Sequence, residues 1–341
     1  MARLIVVSYR LGGNDGVSVE AAKWIAALRQ LGHDVTTLAG EGSADILMEP
    51  LAMAATEPPQ LSDLSAVLDG ADVVIVENLV SLPFNVLARD ALYQALDGRS
   101  ALFRHHDLPW QRQQWRDEPA PHDQATWRHV TINGLSRREL QDRGVEAVTL
   151  RNMFDCTPPL GKREETRRSM SLDDERVVLM PTRAIPRKNV PGGVALAESL
   201  GAAFWLLGPA EDGYDDELEG ALGSTSVRVL RGLANGLSVH DAYAAADLVV
   251  LPSTWEGFGN PVLESVTHRR PLAVYPYPVL SEIRDFGFRF FDLDDVDVIN
   301  RFLDRPREEH FDHNVAIARE HFNVADLPDR LASLLEAIGV N

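Results

Sequence analysis

The sequence predicts an α/β protein built from two doubly wound, Rossmann-like domains. Short apolar runs alternate with amphipathic stretches along both halves of the chain, the pattern of a parallel sheet covered by helices. The alternation breaks and restarts once, where Pro158-Pro159 and a mixed-charge stretch follow Phe154. At 341 residues the chain also exceeds the roughly 250–300 residues at which one core stops growing. Two such domains are expected to hold ligands at the carboxyl ends of their strands, facing one another across a central cleft.

In the first half, Arg3–Tyr9 reads as a strand, followed by a loop of Gly12, Gly13, Asn14, Asp15 and Gly16. Val17–Leu31 reads as a helix with Gly32 just past its end, where a left-handed residue commonly stops a helix. Further strands are expected at Asp34–Ala39, Ala71–Val76, Ser100–His105, His129–Asn133 and Ala147–Leu150. Helices Leu82–Leu96 and Arg137–Arg143 lie between them. In the second half the expected strands are Arg176–Met180, Ala203–Leu207, Val227–Leu230, Asp247–Leu251 and Pro271–Val274. The expected helices are Pro191–Leu200, Asp215–Leu222, Val239–Ala246, Pro261–Thr267 and Val279–Asp285. These place a first domain at 1–155, a linker at 156–172, a second domain at 173–307 and a helical tail at 308–341.

Composition narrows the function. Hydrophobic content of 45% and charged content of 25% are those of a globular protein. A net charge of −18 repels a nucleic-acid backbone and anionic lipid alike. No apolar run reaches the roughly 18 residues of a membrane span, and the first residues read as a strand rather than a signal peptide. One cysteine, Cys156, excludes an internal disulfide and fits the cytoplasm. Arginines 99, 104, 112, 116, 128, 137, 138, 143 and 151 crowd the second half of the first domain, most of them as solvated helix residues. There are only three lysines, Lys23, Lys162 and Lys188, which gives weight to one in a motif.

The most informative segment is Glu256-Gly257-Phe258-Gly259-Asn260-Pro261-Val262-Leu263-Glu264. A buried strand precedes it and a helix follows, with Asn260 expected as N-cap and Pro261 as the first helical residue. Gly257 and Gly259 let the backbone turn or approach a ligand closely. Unpaired N–H groups at the helix tip suit a phosphate. Glu264, one turn in, leans back toward that tip and can accept two hydrogen bonds from a ribose diol. Glu256 can face a second sugar. Upstream, Arg183 and Lys188 flank Pro186 after a strand and can converge on one anion, Arg with two oxygens and Lys as a point charge. Charge that grows on a departing diphosphate is stabilised by such fixed cations.

These two segments resemble the donor motifs of retaining nucleotide-sugar glycosyltransferases of the GT-B fold, family 4 above all. Arg187 stands where that family often has an acid, and Asn189 where it often has glycine. The resemblance implies transfer of a hexose, glucose or mannose foremost, from a UDP-sugar or GDP-sugar to a hydroxyl, with the donor's anomeric configuration retained. It implies that Gly12 and Gly13 approach the donor phosphates, that backbone near Leu233 meets the base, and that a strand-end histidine holds a sugar hydroxyl. His106 fits that register, with His105 as the second choice because adjacent residues point to opposite faces. The tail is implied to cross back onto the first domain. Asn78, Arg104, Trp110 and Arg112 form the expected acceptor side, suited to a small polar or carbohydrate acceptor. Asp292-Leu293-Asp294 spells a metal-binding D-x-D but lies in an acidic run and reads as a solvated loop, so no metal or other cofactor is expected. An epimerase of the same fold, or a non-catalytic sugar-nucleotide binding protein, are the alternatives; oligomeric state is open.

Overall fold

The computed structural model describes residues 1–339 apart from Asn14, Asp173 and Asp212. Asn14 of the expected glycine loop and Asp173 at the expected second-domain start therefore lie outside the described residues. The chain runs β1 (Arg3–Leu11), α1 (Gly16–Gln30), β2 (Asp34–Gly42), β3 (Ile46–Leu47), α2 (Leu61–Leu68), β4 (Val73–Glu77) and α3 (Val86–Ala95). There follow β5 (Ala101–His105), β6 (Trp127–Thr131), α4 (Gly134–Gln141), β7 (Ala147–Thr149), α5 (Arg163–Ser169), β8 (Val177–Met180) and α6 (Val190–Ser199). Then come β9 (Ala203–Leu206), α7 (Asp215–Gly223), β10 (Val229–Arg231), α8 (Val239–Ala245), β11 (Leu248–Leu251) and α9 (Asn260–Thr267). The last elements are β12 (Leu272–Val274), α10 (Leu280–Arg284), β13 (Phe291–Asp292), α11 (Val296–Asp304), α12 (Glu308–His321) and α13 (Leu327–Glu336).

The chain divides into two compact units, Met1–Met153 with Val324–Asn341, and Phe154–Asn323. The first holds a seven-stranded parallel sheet in the order β3-β2-β1-β4-β5-β6-β7. Its strands are apolar on both faces because helices cover both. Ile5 and Val7 face the layer of α2 and α3, where Leu64, Leu68, Ala88 and Leu92 are buried. Leu4 and Val6 face the opposite layer, where Trp24 and Leu28 of α1 meet Leu327, Leu331 and Leu335 of α13. The second unit holds a six-stranded parallel sheet in the order β10-β9-β8-β11-β12-β13. Val178, Met180, Phe204, Leu206 and Val250 pack there against Val190, Val194 and Leu218.

Local chemistry sets the helix starts. Asp15 caps α1 by accepting from Val17 and Ser18 N–H at 3.1 Å each, and Gly32 sits at φ +85° after its end. The expected helix over 82–96 begins only at Val86, where Asn85 caps it by accepting the Ala88 N–H at 2.9 Å. α4 starts three residues early, capped by Asn133. The stretch 156–172, expected as a linker, contains α5. Its Arg163 reaches Asp247 at 2.6 Å, and Asp247 also accepts the Val177 N–H at 2.9 Å. Four further elements were not expected, namely α2, the edge strands β3 and β13, and α11, the last of which begins inside the acidic run after Asp292.

The α1–α13 layer yields a stability prediction. Leu331, 1% exposed, is buried against α1, so Leu331→Ala should lower the unfolding free energy by about 2–5 kcal/mol in urea denaturation. A loss below about 0.5 kcal/mol would show that α13 does not belong to this core.

Candidate active site

In the second unit, β8 and β11 end side by side and their loops are stitched together. Thr254 N–H donates to the Arg187 carbonyl at 2.9 Å, and the Asn189 amide donates to the Pro252 carbonyl at 3.3 Å. Asn189 sits at φ +52° and caps α6 through Gly192 N–H, so a left-handed position is met by one of the few non-glycine residues that tolerate it. This stitching brings Lys188 Nζ to 2.5 Å from Glu256 Oε1 and Arg187 Nη1 to 3.1 Å from Glu256 Oε2. Lys188 and Glu256 are 7% and 6% exposed. Burial alone would raise the Glu256 carboxyl, but the Lys188 and Arg187 charges and hydrogen bonds outweigh it and hold it below the usual range. Burial pulls the Lys188 ammonium down, with Glu256 opposing.

Arg183 lies on the same loop and pairs with Glu211 at 2.5 Å, both partly exposed. The pair is set by backbone, since Ala184 N–H donates to Pro209 and Glu211 N–H to Ala184. Gly208 makes this possible because a Cβ there would overlap the Arg183 backbone.

The start of α9 differs from expectation. Gly259, at φ +87°, is the N-cap, Asn260 is the first helical residue and Pro261 the second, and no side chain caps the helix. A Cβ on Gly259 would overlap the hydroxyl of Tyr277, which donates to the Phe258 carbonyl at 2.7 Å. The Phe258 ring is 3% exposed and stacks on Phe154, so it fills the core and leaves only its backbone to a ligand. Glu264 accepts from Tyr243 Oη at 2.8 Å, and Tyr243 itself stacks on His268. Gly257 is half-buried, and Leu233, 41% exposed, follows Gly232, whose carbonyl accepts from Trp205 Nε1.

In the first unit, β4 and β5 end in a buried polar network. His106 Nε2 lies 2.9 Å from Glu77 Oε2, and its N–H donates to Asn78 Oδ1 at 3.0 Å. Asn78 makes that contact from the left-handed region, at φ +57°, which asparagine tolerates. Arg104, expected on the acceptor side, is fully buried; it reaches Glu77 at 3.2 Å, Glu20 at 3.3 Å and Asn152 at 3.1 Å, and lies 4.3 Å over the Trp24 ring. It therefore holds the strand ends together. His105 points the other way, fully buried between Ser81 at 2.7 Å and His129 at 2.9 Å. Trp110 is likewise engaged, its Nε1 donating to Glu139 at 3.0 Å with Arg143 3.8 Å over its ring. Arg112 pairs with Asp107 at 2.9 Å and covers Trp115. Gly12, at φ +75°, packs where a Cβ would crowd Ser43, and a Cβ on Gly13 would crowd the capping carboxylate of Asp15.

Sequence reasoning passed over Arg187, Glu211, Tyr243, Tyr277 and Glu77. Arg187 alone carried a signal, since its charge is opposite to the one the motif leads one to expect. Asp292 pairs with Arg284 at 2.5 Å, and among the described residues no cluster of three His, Cys, Asp or Glu side chains could hold a metal ion. No helix of the described residues is long and apolar enough to cross a membrane.

Residues 188–291, from Lys188 through both glutamates, match the family model described as Glycosyl transferases group 1. The fold and this match define a glycosyltransferase of the GT-B fold. Mannosylglucosylglycerate synthase from Thermotoga maritima is 25% identical over 97% of this chain and 99% of its own length. Alpha-D-kanosaminyltransferase of Streptomyces kanamyceticus is 26% identical over 52% of this chain and 50% of its own. Among solved structures, Anabaena HepE in complex with UDP and glucose superposes with a TM-score of 0.72 at 16% identity, covering 99% of this chain and 100% of that one. Sucrose-phosphate synthase from Thermosynechococcus elongatus gives 0.75 at 13% identity, covering 99% of each chain.

Two outcomes follow from this geometry. Gly259→Ala forces a left-handed alanine against Tyr277, and should lower the unfolding free energy by about 1–3 kcal/mol in urea denaturation. An unchanged midpoint would mean that this turn is not rigid. Burial lowers the His129 ring to about 4 and His105 well below its ordinary value. The unfolded chain therefore takes up protons near pH 6.5 that the folded chain refuses, so stability falls as pH drops from 6.5 toward 4. His129→Gln should flatten that acid slope between pH 7 and 5, and a slope equal to the parent's would contradict the buried neutral pair.

Proposed function

We propose that this glycosyltransferase moves a hexose, glucose or mannose, from a UDP-sugar or GDP-sugar to a hydroxyl acceptor with retention of configuration. The observation that carries the reading is the Lys188–Glu256–Arg187 triad beside the start of α9, which no side chain caps. Lys188 has three N–H donors, so one can stay on Glu256 while others meet a phosphate. Arg183 exchanges Glu211 for the diphosphate, and the α9 tip adds its partial positive charge. Glu256 and the backbone of Gly257–Asn260 hold the donor sugar, Glu264 holds the ribose, and His106 holds a hydroxyl of the sugar or the acceptor.

As the C1–O bond to the diphosphate breaks, its electron pair passes to the β-phosphate oxygen. The acceptor oxygen bonds to C1 on the same face and gives its proton to that departing phosphate. Arg183, Lys188 and Arg187 lie beside the growing charge and stabilise it, so the reading assigns no role to a divalent ion. The Thermotoga maritima relative is, by its name, a synthase of mannosylglucosylglycerate, which supports a hexosyl donor and a small polar or carbohydrate acceptor here. The single thiol, Cys156, is buried and forms no disulfide, which fits a reducing cytoplasm.

Lys188→Ala should cut kcat by about 10²-fold or more while changing the UDP or GDP dissociation constant much less. Turnover would be measured with pure donors against a panel of small hydroxy acids and sugars. Undiminished kcat would remove Lys188 from the transition state, and a changed donor without any acceptor would make the chain an epimerase.

A further inference from the structure

The buried network of the first unit contains a carboxylate that the reaction just described does not use. We propose that Glu77 is a positioning residue that fixes one tautomer of His106, with the proton on Nε2 and the lone pair on Nδ1, so that His106 meets its substrate as a hydrogen-bond acceptor. This rests on the reading in which His106 touches the donor sugar or the acceptor.

The geometry allows little else. Glu77 is fully buried at the end of β4, and its Oε2 lies 2.9 Å from His106 Nε2. The His106 backbone is held by Asn78 Oδ1 at 3.0 Å, and Asn78 N–H by the Arg104 carbonyl at 2.9 Å, so the backbone is fixed and the ring can leave Glu77 only by rotating about its own side-chain bonds. Glu77 Oε1 accepts from Arg104 at 3.2 Å, Arg104 continues to Glu20 at 3.3 Å, and Glu20 pairs with Lys23 at 2.5 Å. Of the charged groups named, two carboxylates meet one guanidinium and one ammonium. An uncompensated charge at this depth is costly. Burial alone would raise the Glu77 carboxyl, yet Arg104 and His106 outweigh it and hold it below its ordinary range. An ionised carboxylate can only accept, and a neutral imidazole has a single N–H, so that N–H points at Glu77. The remaining nitrogen then takes a hydrogen bond from a hydroxyl and gives none to a carbonyl or carboxylate. The group His106 reads is thereby restricted to a sugar or acceptor hydroxyl acting as donor.

The test is long-range 1H–15N NMR of the full chain with labelled histidine at pH 8, with the His106 signals assigned by their loss in His106→Asn. The proposal expects the Nε2-protonated form in the parent protein; the Nδ1-protonated form would overturn it. Glu77→Gln should mix the two tautomers and lower kcat roughly tenfold or more, with donor KM changed far less. Parent-like tautomer and kcat in Glu77→Gln would also overturn it. Should that variant fail to fold, the spectrum of the parent protein decides alone. Full turnover by His106→Asn would instead remove His106 from the reaction, leaving the tautomer result to stand on its own.

Discussion

A carboxylate that is 6% exposed and ionised needs compensation within hydrogen-bond reach, and Glu256 has it twice, from Lys188 and Arg187. The compensation comes from a different strand end, so the pair also fixes the loop after β8 against the loop after β11. Breaking either partner leaves a buried charge, which is why the pair holds its geometry without a ligand. The triad carries one surplus positive charge, one cation more than its carboxylate. That surplus, set beside a helix start with no side-chain cap, is the electrostatic core of the proposed diphosphate site.

The first unit repeats the device. Glu77 and Arg104 end β4 and β5 and are fully buried, with Glu20 and Lys23 from α1 completing the balance. In both sheets the charged groups stand at the carboxyl ends of parallel strands, where the ladder stops and side chains from adjacent loops converge. The apolar strands behind them give a rigid floor, and so small polar groups can be held to a single geometry. Arg104 and Glu77, both fully buried, serve that geometry beneath His106, which is 6% exposed.

The positions of the longer strands along the chain and the two-unit fold were legible because a strand buried on both faces is written as a continuous apolar run. Lys188, Glu256, Glu264 and the Gly257–Gly259 turn were legible because their spacing is local. The two-residue edge strands β3 and β13 carry no run long enough to read. α5 lies in a stretch whose arginines look solvated, and only contact with Asp247, some eighty residues on, makes it part of a sheet domain. Arg104 was expected to face an acceptor for the same reason, since its partner Glu20 is 84 residues away in sequence. The start of α9 was misread by one residue because both Gly259 and Asn260 can cap, and Tyr277, remote in sequence, decides between them by fitting only against a glycine. Glu211 could not be read at all, and Arg187 only as an unexpected charge, because ion pairs between loops depend on which strands are neighbours.

The central claim is that fixed protein cations, without a bound metal, recognise a diphosphate in the second unit. Calorimetric titration in EDTA with UDP against UMP, and GDP against GMP, tests it most directly. Each charge-assisted hydrogen bond to the second phosphate contributes about 1.5–3 kcal/mol, so the preferred diphosphate should bind at least about tenfold more tightly than its monophosphate. Equal affinities for the two, or a preference that appears only when magnesium is restored, would contradict the account.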